Sequence, residues 1–397
     1  MTYQQAKIKR MIEELIMFPF VMMGKIIGFF FPLNTRHDLF LFFPNGDIGG
    51  SAQVNIDITR CVRDVAPLII FSKKPKNNQF IEQFRATGVK IIDLAPYIDR
   101  KLFHFVNFFF RGVIASWINK REQPVIFGGE CIFFYKMLPH LKKNVRCIEL
   151  SHLPTWLPYN IGFIDRIDVR IFSTLKLKEQ VIKQYNENKL GNIFYERLLF
   201  IDNAVDIPPP VSAPENDILE VVFIGRGAPQ KRVHLIADIA QKMNGANDKI
   251  HFSFVGDVEK MINPVDFPFC RFYGNVKDEM LMDRIYRQSD VLILTSAFEG
   301  LPIVVMKMMA YGKIVLSTAV NGIPDYIEHM KNGLLIQETD EDKIVIKGIA
   351  LLRAVISDPK LKKALGEKSR DIATSKFSKK VFCKIYRQTL LNHMHLP

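Results

Sequence analysis

Short apolar runs that do not alternate with polar residues recur along this chain, separated by longer stretches with helical spacing. The first series is "DLFLFFP" (38–44), "APLIIFS" (66–72), "VKIIDL" (89–94), "QPVIFGG" (123–129), "VRCIELS" (145–151) and "VRIFST" (169–174). Continuous runs of this length mark strands buried on both faces, and helices between them imply a parallel sheet. The same grammar restarts after "DIPPPVSAPEND" (206–217), the most linker-like segment of the chain. There follow "LEVVFIG" (219–225), "HFSFVG" (251–256), "RFYG" (271–274), "DVLILTS" (290–296) and "KIVLST" (313–318). A chain of 397 residues is also long for a single core. Two doubly wound α/β domains joined near residue 210 are therefore expected, with ligands at the carboxyl ends of strands in a central cleft.

The net charge of +13 suits a polyanionic partner such as a phosphorylated ligand, an anionic membrane or nucleic acid. Nucleic acid is disfavoured, because the cations are dispersed and no helix-turn-helix, zinc-finger or RRM-like signature is present. The 32 phenylalanines, many of them in the N-terminal third, favour the membrane. Residues 15–33, "LIMFPFVMMGKIIGFFFPL", are apolar apart from Lys25 and follow the basic "KIKR" at 7–10. Pro19, Gly24, Lys25 and Gly28 are expected to break up a spanning helix, so residues 1–37 read first as a segment lying on an anionic membrane surface, with a spanning helix or a helix packed on the domain surface as the alternatives. The aromatic stretch "LFHFVNFFFRGVIASWI" (102–118) fits the same surface or a Phe-rich core helix. Five cysteines without any Cys-x-x-Cys pair read as buried, reduced thiols of a cytosolic protein rather than disulfides or metal ligands.

Three loops carry features that suit a diphosphate. "FFPNGDIGGSAQVNIDITRCV" runs strand, loop, helix, and Gly49-Gly50 at the junction let backbone N–H groups approach an anion; a tight turn explains them equally well. "VVFIGRGAPQKRVHLIADIA" repeats the arrangement with Gly225 at the strand end, Arg226 directly after it and Lys231 at the start of the helix. "DVLILTSAFEGLP" delivers Glu299 to a turn before a helix expected over 303–312, where a carboxylate beside free N–H groups suits the hydroxyls of a polyol. A helix cap is the plainer role for that acid.

In order along the chain, these pieces resemble the retaining, nucleotide-sugar-dependent glycosyltransferases of the GT-B fold, family 4. The matching residues are Gly49-Gly50, "DNAVD" (202–206), "GRGAPQK" (225–231), "FVGD" (254–257) and the run from "FYGNVKDEM" through "SAFEGLP" to "VNGIPDYIEHMKNGLL" (320–335). The resemblance implies a GT-B architecture: residues 38–207 as acceptor-binding domain, 208–376 as donor-binding domain, and a helix over 377–397 crossing back. It implies that Gly49 and Gly50 line the donor diphosphate, that Arg226 and Lys231 neutralise it without a metal or cofactor, and that Glu299 contacts the donor sugar. Gly300 and Leu301 would meet the phosphates through their backbone, Asn275 and Val276 would lie beside the nucleobase, and His152 would approach the sugar.

One position departs from the family pattern. Eight residues after Glu299, where the family usually places a second glutamate for the ribose, stands Lys307. An ammonium only donates hydrogen bonds, so charge and hydrogen-bond sense reverse together. Lys307 could serve the diphosphate, the donor could be unusual, or catalysis could be lost with the fold retained. The expected function is transfer of a sugar to a glycan or lipid-linked acceptor in cell-surface polysaccharide or lipopolysaccharide synthesis, by an enzyme peripheral on the cytoplasmic face of the membrane. The alternative is a catalytically silent GT-B protein that binds a nucleotide or a partner enzyme.

Overall fold

The computed structural model describes residues 2–99, 104–210, 217–299 and 301–392. The chain forms two compact units, Met1–Asn203 with Phe382–Pro397, and Ala204–Val381. In unit 1 the apolar runs become β1 (Leu39–Phe43), β2 (Leu68–Phe71), β3 (Lys90–Asp93), β4 (Val125–Gly128), β5 (Arg146–Ser151) and β6 (Val169–Phe172), joined by β7 (Leu198–Phe200). They pair in parallel in the order β3-β2-β1-β4-β5-β6-β7. Unit 2 holds β8 (Leu219–Ile224), β9 (Ile250–Val255), β10 (Arg271–Phe272), β11 (Val291–Leu294), β12 (Ile314–Thr318) and β13 (Leu334–Ile336), also parallel, in the order β10-β9-β8-β11-β12-β13. The central strands β1 and β11 are buried along their whole length, as continuous apolar runs require. The strand order reverses between β1 and β4 and again between β8 and β11, and loops at such points open toward ligands.

The N-terminal segment follows the packed-helix alternative, and the expected breaks do not occur. Tyr3–Phe30 is one continuous helix, begun by a reciprocal cap between Thr2 and Gln5, with Pro19 inside it. Its glycines are contact points rather than breaks. A Cβ on Gly24 would lie 1.9 Å from the Phe109 carbonyl oxygen, and one on Gly112 would lie 2.0 Å from that of Val21. The helix therefore crosses the helix His104–Asn119 backbone to backbone, which only glycine permits. Arg10, buried, ties it to unit 1 by donating to the Gly162 carbonyl (2.7 Å) and pairing with Asp165 (2.5 Å). Its opposite face carries exposed Leu15, Ile16, Phe18, Met23, Phe29 and Phe30. Among the described residues, no helix is long and apolar enough to cross a membrane.

The cysteines also correct the sequence reading. Cys61 and Cys383 form a disulfide across 322 residues of sequence, while Cys131, Cys147 and Cys270 are free. No short spacing announces this pair, because the bond joins the end of the helix Gly50–Cys61 to the final helix Lys379–Leu391. That final helix is fastened to the same place by Arg387, which donates to the Cys61 carbonyl (2.7 Å) and pairs with Asp64 (2.5 Å).

Candidate functional site

In unit 2 the loops after the adjacent strands β8 and β11 are stitched together. Arg232 adopts a left-handed backbone (φ 45°) at the head of the helix Val233–Gly245. From there its guanidinium donates to the carbonyls of Thr295 (2.7 Å) and Ser296 (3.1 Å). Thr295 returns its hydroxyl to the carbonyls of Lys231 and Arg232, and the Ala297 N–H donates to the Gln230 carbonyl. This stitching brings Lys231 and Glu299 together as an ion pair, their side chains 14% and 8% exposed. Ser296 Oγ donates to the same Glu299 oxygen at 2.6 Å. Arg226 stands exposed at the mouth of the β8 loop. Gly227 is required by close packing, since a Cβ there would lie 2.2 Å from the Asp257 carbonyl oxygen, and its N–H donates to the Asp257 carboxylate. Gly225 closes the strand end by donating to the Val255 carbonyl.

The remaining candidates of unit 2 lie on neighbouring loops. Asn275 is exposed and Val276 half-buried, between β10 and the helix Glu279–Gln288. Leu301 is half-buried just before Pro302, which caps the helix Ile303–Ala310; Gly300 lies outside the described residues. Lys307 is exposed on that helix, its ammonium 5.7 Å from the centroid of the Tyr286 ring, which in turn stacks on Tyr311 at 5.1 Å. A cation over an aromatic face is attracted to it, so Lys307 has a local partner.

Unit 1 supplies the other candidates. Gly49 caps the helix Gly50–Cys61, and a Cβ on Gly49 or Gly50 would meet nothing within 4 Å. Their small size is thus not demanded by the protein's own packing. The loop leading to them is held by Asp47. Burial raises the pKa of its carboxyl, but the N–H groups of Lys76, Asn77 and Asn78 outweigh that and keep it below the ordinary range. His152 follows β5. Burial drives its pKa down to about 4, so the ring is neutral at pH 7, and Nε2 is buried without a partner. Sequence reasoning missed Arg232 and Thr295, whose roles are made by contacts between loops some 60 residues apart, and Ser296, which reaches Glu299 within its own loop. It also missed Glu130, whose carboxylate receives the His152 N–H.

The description "Glycosyl transferases group 1" matches residues 219–354. A glycosyltransferase of Haemophilus influenzae, itself uncharacterized, is 37% identical over 339 residues, covering 82% of this chain and 92% of that protein. This chain is a group 1 glycosyltransferase. Its two Rossmann-like units have the GT-B fold: the Anabaena protein HepE, solved in complex with UDP, aligns with a TM-score of 0.67 at 16% identity, over 90% of this chain and all of that one. A lipopolysaccharide 1,6-galactosyltransferase of Escherichia coli is 25% identical over 247 residues, 57% of this chain and 65% of that enzyme. The expected family and fold thus agree with relatives matched along most of the chain.

Proposed function

We propose that this glycosyltransferase moves a sugar from a nucleotide-diphosphate donor to a glycan or lipid-linked acceptor, with retention at the anomeric carbon and without a metal. The observation that carries the reading is the cluster of Lys231, Glu299 and Ser296 at the strand-order reversal of unit 2, with Arg226 exposed on the same β8 loop as Lys231. Glu299 offers a carboxylate for sugar hydroxyls. Arg226 and Lys231 supply positive charge for a departing diphosphate, and Lys231, already held by Glu299, needs little reorganisation during the reaction. Arg226→Ala and Lys231→Ala are each expected to lower turnover about 10²–10³-fold, by analogy with the loss of single oxyanion donors. Losses under threefold in both would remove them from the mechanism. HepE was solved with UDP and with UDP-glucose, which supports a nucleotide-sugar donor.

The acceptor side rests on the N-terminal helix. Its outward face is apolar, and its two acids point away from that face: Glu13 pairs with Lys136 and Glu14 with Arg10. An apolar face without exposed acids, on a chain of net charge +13, suits an anionic membrane surface. Lipopolysaccharide enzymes among the relatives support an acceptor of cell-surface glycan type. Leu15→Asp/Ile16→Asp should abolish flotation with phosphatidylglycerol vesicles; unchanged flotation would defeat the membrane assignment.

The presence of Lys307 favours one second reading, a silent protein that binds nucleotide without transfer. A thermal-shift panel with UDP, GDP, ADP, TDP and CMP separates the two. A ligand at 100 times its dissociation constant adds about 2.7 kcal/mol. Stabilisation of the wild type by one nucleotide supports a working donor site, whereas a response from Lys307→Glu alone supports a lost one.

A further inference from the structure

One carboxylate in unit 1 has a placement that no motif signals. Glu130 ends the turn after β4, beside the reversal of strand order between β1 and β4. In open parallel sheets that is where ligands are received. Its φ is 50°, a left-handed conformation uncommon outside glycine. The turn runs hard against β5, for a Cβ on Gly129 would lie 1.9 Å from the Leu150 carbonyl oxygen. Held there, Glu130 Oε1 accepts two backbone N–H groups from the loop after β5, those of His152 (2.7 Å) and Leu153 (2.6 Å). The Glu130 N–H donates to the Tyr135 hydroxyl (3.4 Å), and that hydroxyl donates to Glu149 (2.6 Å). Glu149 is fully buried and paired with Arg170.

A rigid buried network therefore reaches the backbone of His152 through one side chain. Around that backbone sit two polar atoms out of solvent with no partner, His152 Nε2 and Ser151 Oγ. Buried polar groups are nearly always satisfied, and exceptions ask for an explanation. A hydroxylated ligand would complete them.

We propose that Glu130 is a positioning residue for sugar transfer, fixing the His152–Leu153 backbone so that the free imidazole nitrogen of His152 meets a sugar hydroxyl. This rests on the reading of the chain as a transferase with His152 near the sugar. Both hydrogen bonds need an acceptor oxygen at one reach. Glutamine keeps that oxygen, while aspartate keeps the charge and loses the reach.

The test is steady-state kinetics on the full chain, using the sugar conjugate of whichever nucleotide stabilises it. Glu130→Ala and Glu130→Asp are expected to lower kcat about 10–100-fold with donor KM changed less than threefold, and Glu130→Gln to keep at least a third of the activity. The Glu130→Ala/His152→Ala double variant should be no more than twofold slower than His152→Ala, because groups acting as a unit are not additive. Thermal melts of each variant verify folding, with Glu130→Gln and Glu130→Asp serving where alanine does not fold. The proposal is overturned if Glu130→Asp matches wild type, if the effects of Glu130→Ala and His152→Ala multiply, or if Glu130→Gln is as impaired as Glu130→Ala. A His152→Ala variant as active as wild type overturns it too, while loss in Arg226→Ala in the same assay leaves the transferase reading standing. A wild type inactive with every donor defeats that reading and this proposal together.

Discussion

Removing the ammonium from the Lys231–Glu299 pair separates its part in stability from its part in chemistry. The side chains are 14% and 8% exposed, so the pair is largely out of water. Deleting one partner of a fully buried pair costs about 3–5 kcal/mol, because the other charge is left uncompensated. Here residual solvent access, and the Ser296 hydroxyl that still donates to Glu299, reduce the cost of Lys231→Met to about 2 kcal/mol. For a unit of 150–250 residues each kcal/mol moves the midpoint by about 2–4 °C, so its Tm should fall by about 4–8 °C. Both tryptophans, Trp117 and Trp156, lie in unit 1. Tryptophan fluorescence therefore follows unit 1, and calorimetry or far-UV circular dichroism is needed to see unit 2. Lys231→Met/Glu299→Gln should regain at least half of the lost stability while turnover stays depressed. A Tm shift below 1 °C in Lys231→Met, or a double variant less stable than Lys231→Met alone, would refute the reasoning.

Three further outcomes follow from particular contacts. Gly112→Ala places a Cβ 2.0 Å from the Val21 carbonyl oxygen and should destabilise unit 1 by about 1–3 kcal/mol, read by the fluorescence of Trp117 on the same helix; an unchanged melt would mean the helices do not cross there. Alkylation of denatured, unreduced protein should add three groups, at Cys131, Cys147 and Cys270, and five after reduction, by intact mass; Cys383→Ser should cost about 2–4 kcal/mol. Acidification should weaken unit 1. His152 is held neutral down to about pH 4, whereas an unfolded histidine takes its proton near pH 6.5. Protonation then favours the unfolded chain as pH falls from about 6.5 to 4, and His152→Asn should flatten the slope of stability against pH by one proton at most.

The strands were legible because burial on both faces leaves a mark in every residue of a run. "LFLFF" and "VLIL" could hardly be anything but central strands, and they are β1 and β11. Of the four edge strands, β3 and β10 were named, whereas β7 and β13, with three residues each, were not singled out. The helix glycines misled for a physical reason. Sequence alone offers no way to tell a glycine that weakens a helix from one that lets a second backbone approach, and Gly24 and Gly112 are of the second kind. At the site, Lys231 and Glu299 were visible because each lies in the short loop between a strand and the helix after it. Arg232 was not, since its value lies in which loop it touches, and Ser296 was not, because a serine three residues before a glutamate carries no signature. Glu130 was hidden for the same reason: a lone glutamate after "FGG" has no signature until β5 is laid beside β4. The Cys61–Cys383 bond joins residues that only the tertiary path of the last helix brings together.

That last helix has a consequence for how the protein is made. Unit 1 is discontinuous, and Phe382, Tyr386, Leu390 and Leu391 are part of its buried interior, with Tyr386 edge-on to Phe127. Domains of a nascent chain generally fold in the order they leave the ribosome. Here the second unit is synthesised in full before the first receives its closing residues. A released chain truncated after Val381 should therefore carry a finished unit 2 and an open unit 1, with the Cys61 thiol still reactive toward a maleimide.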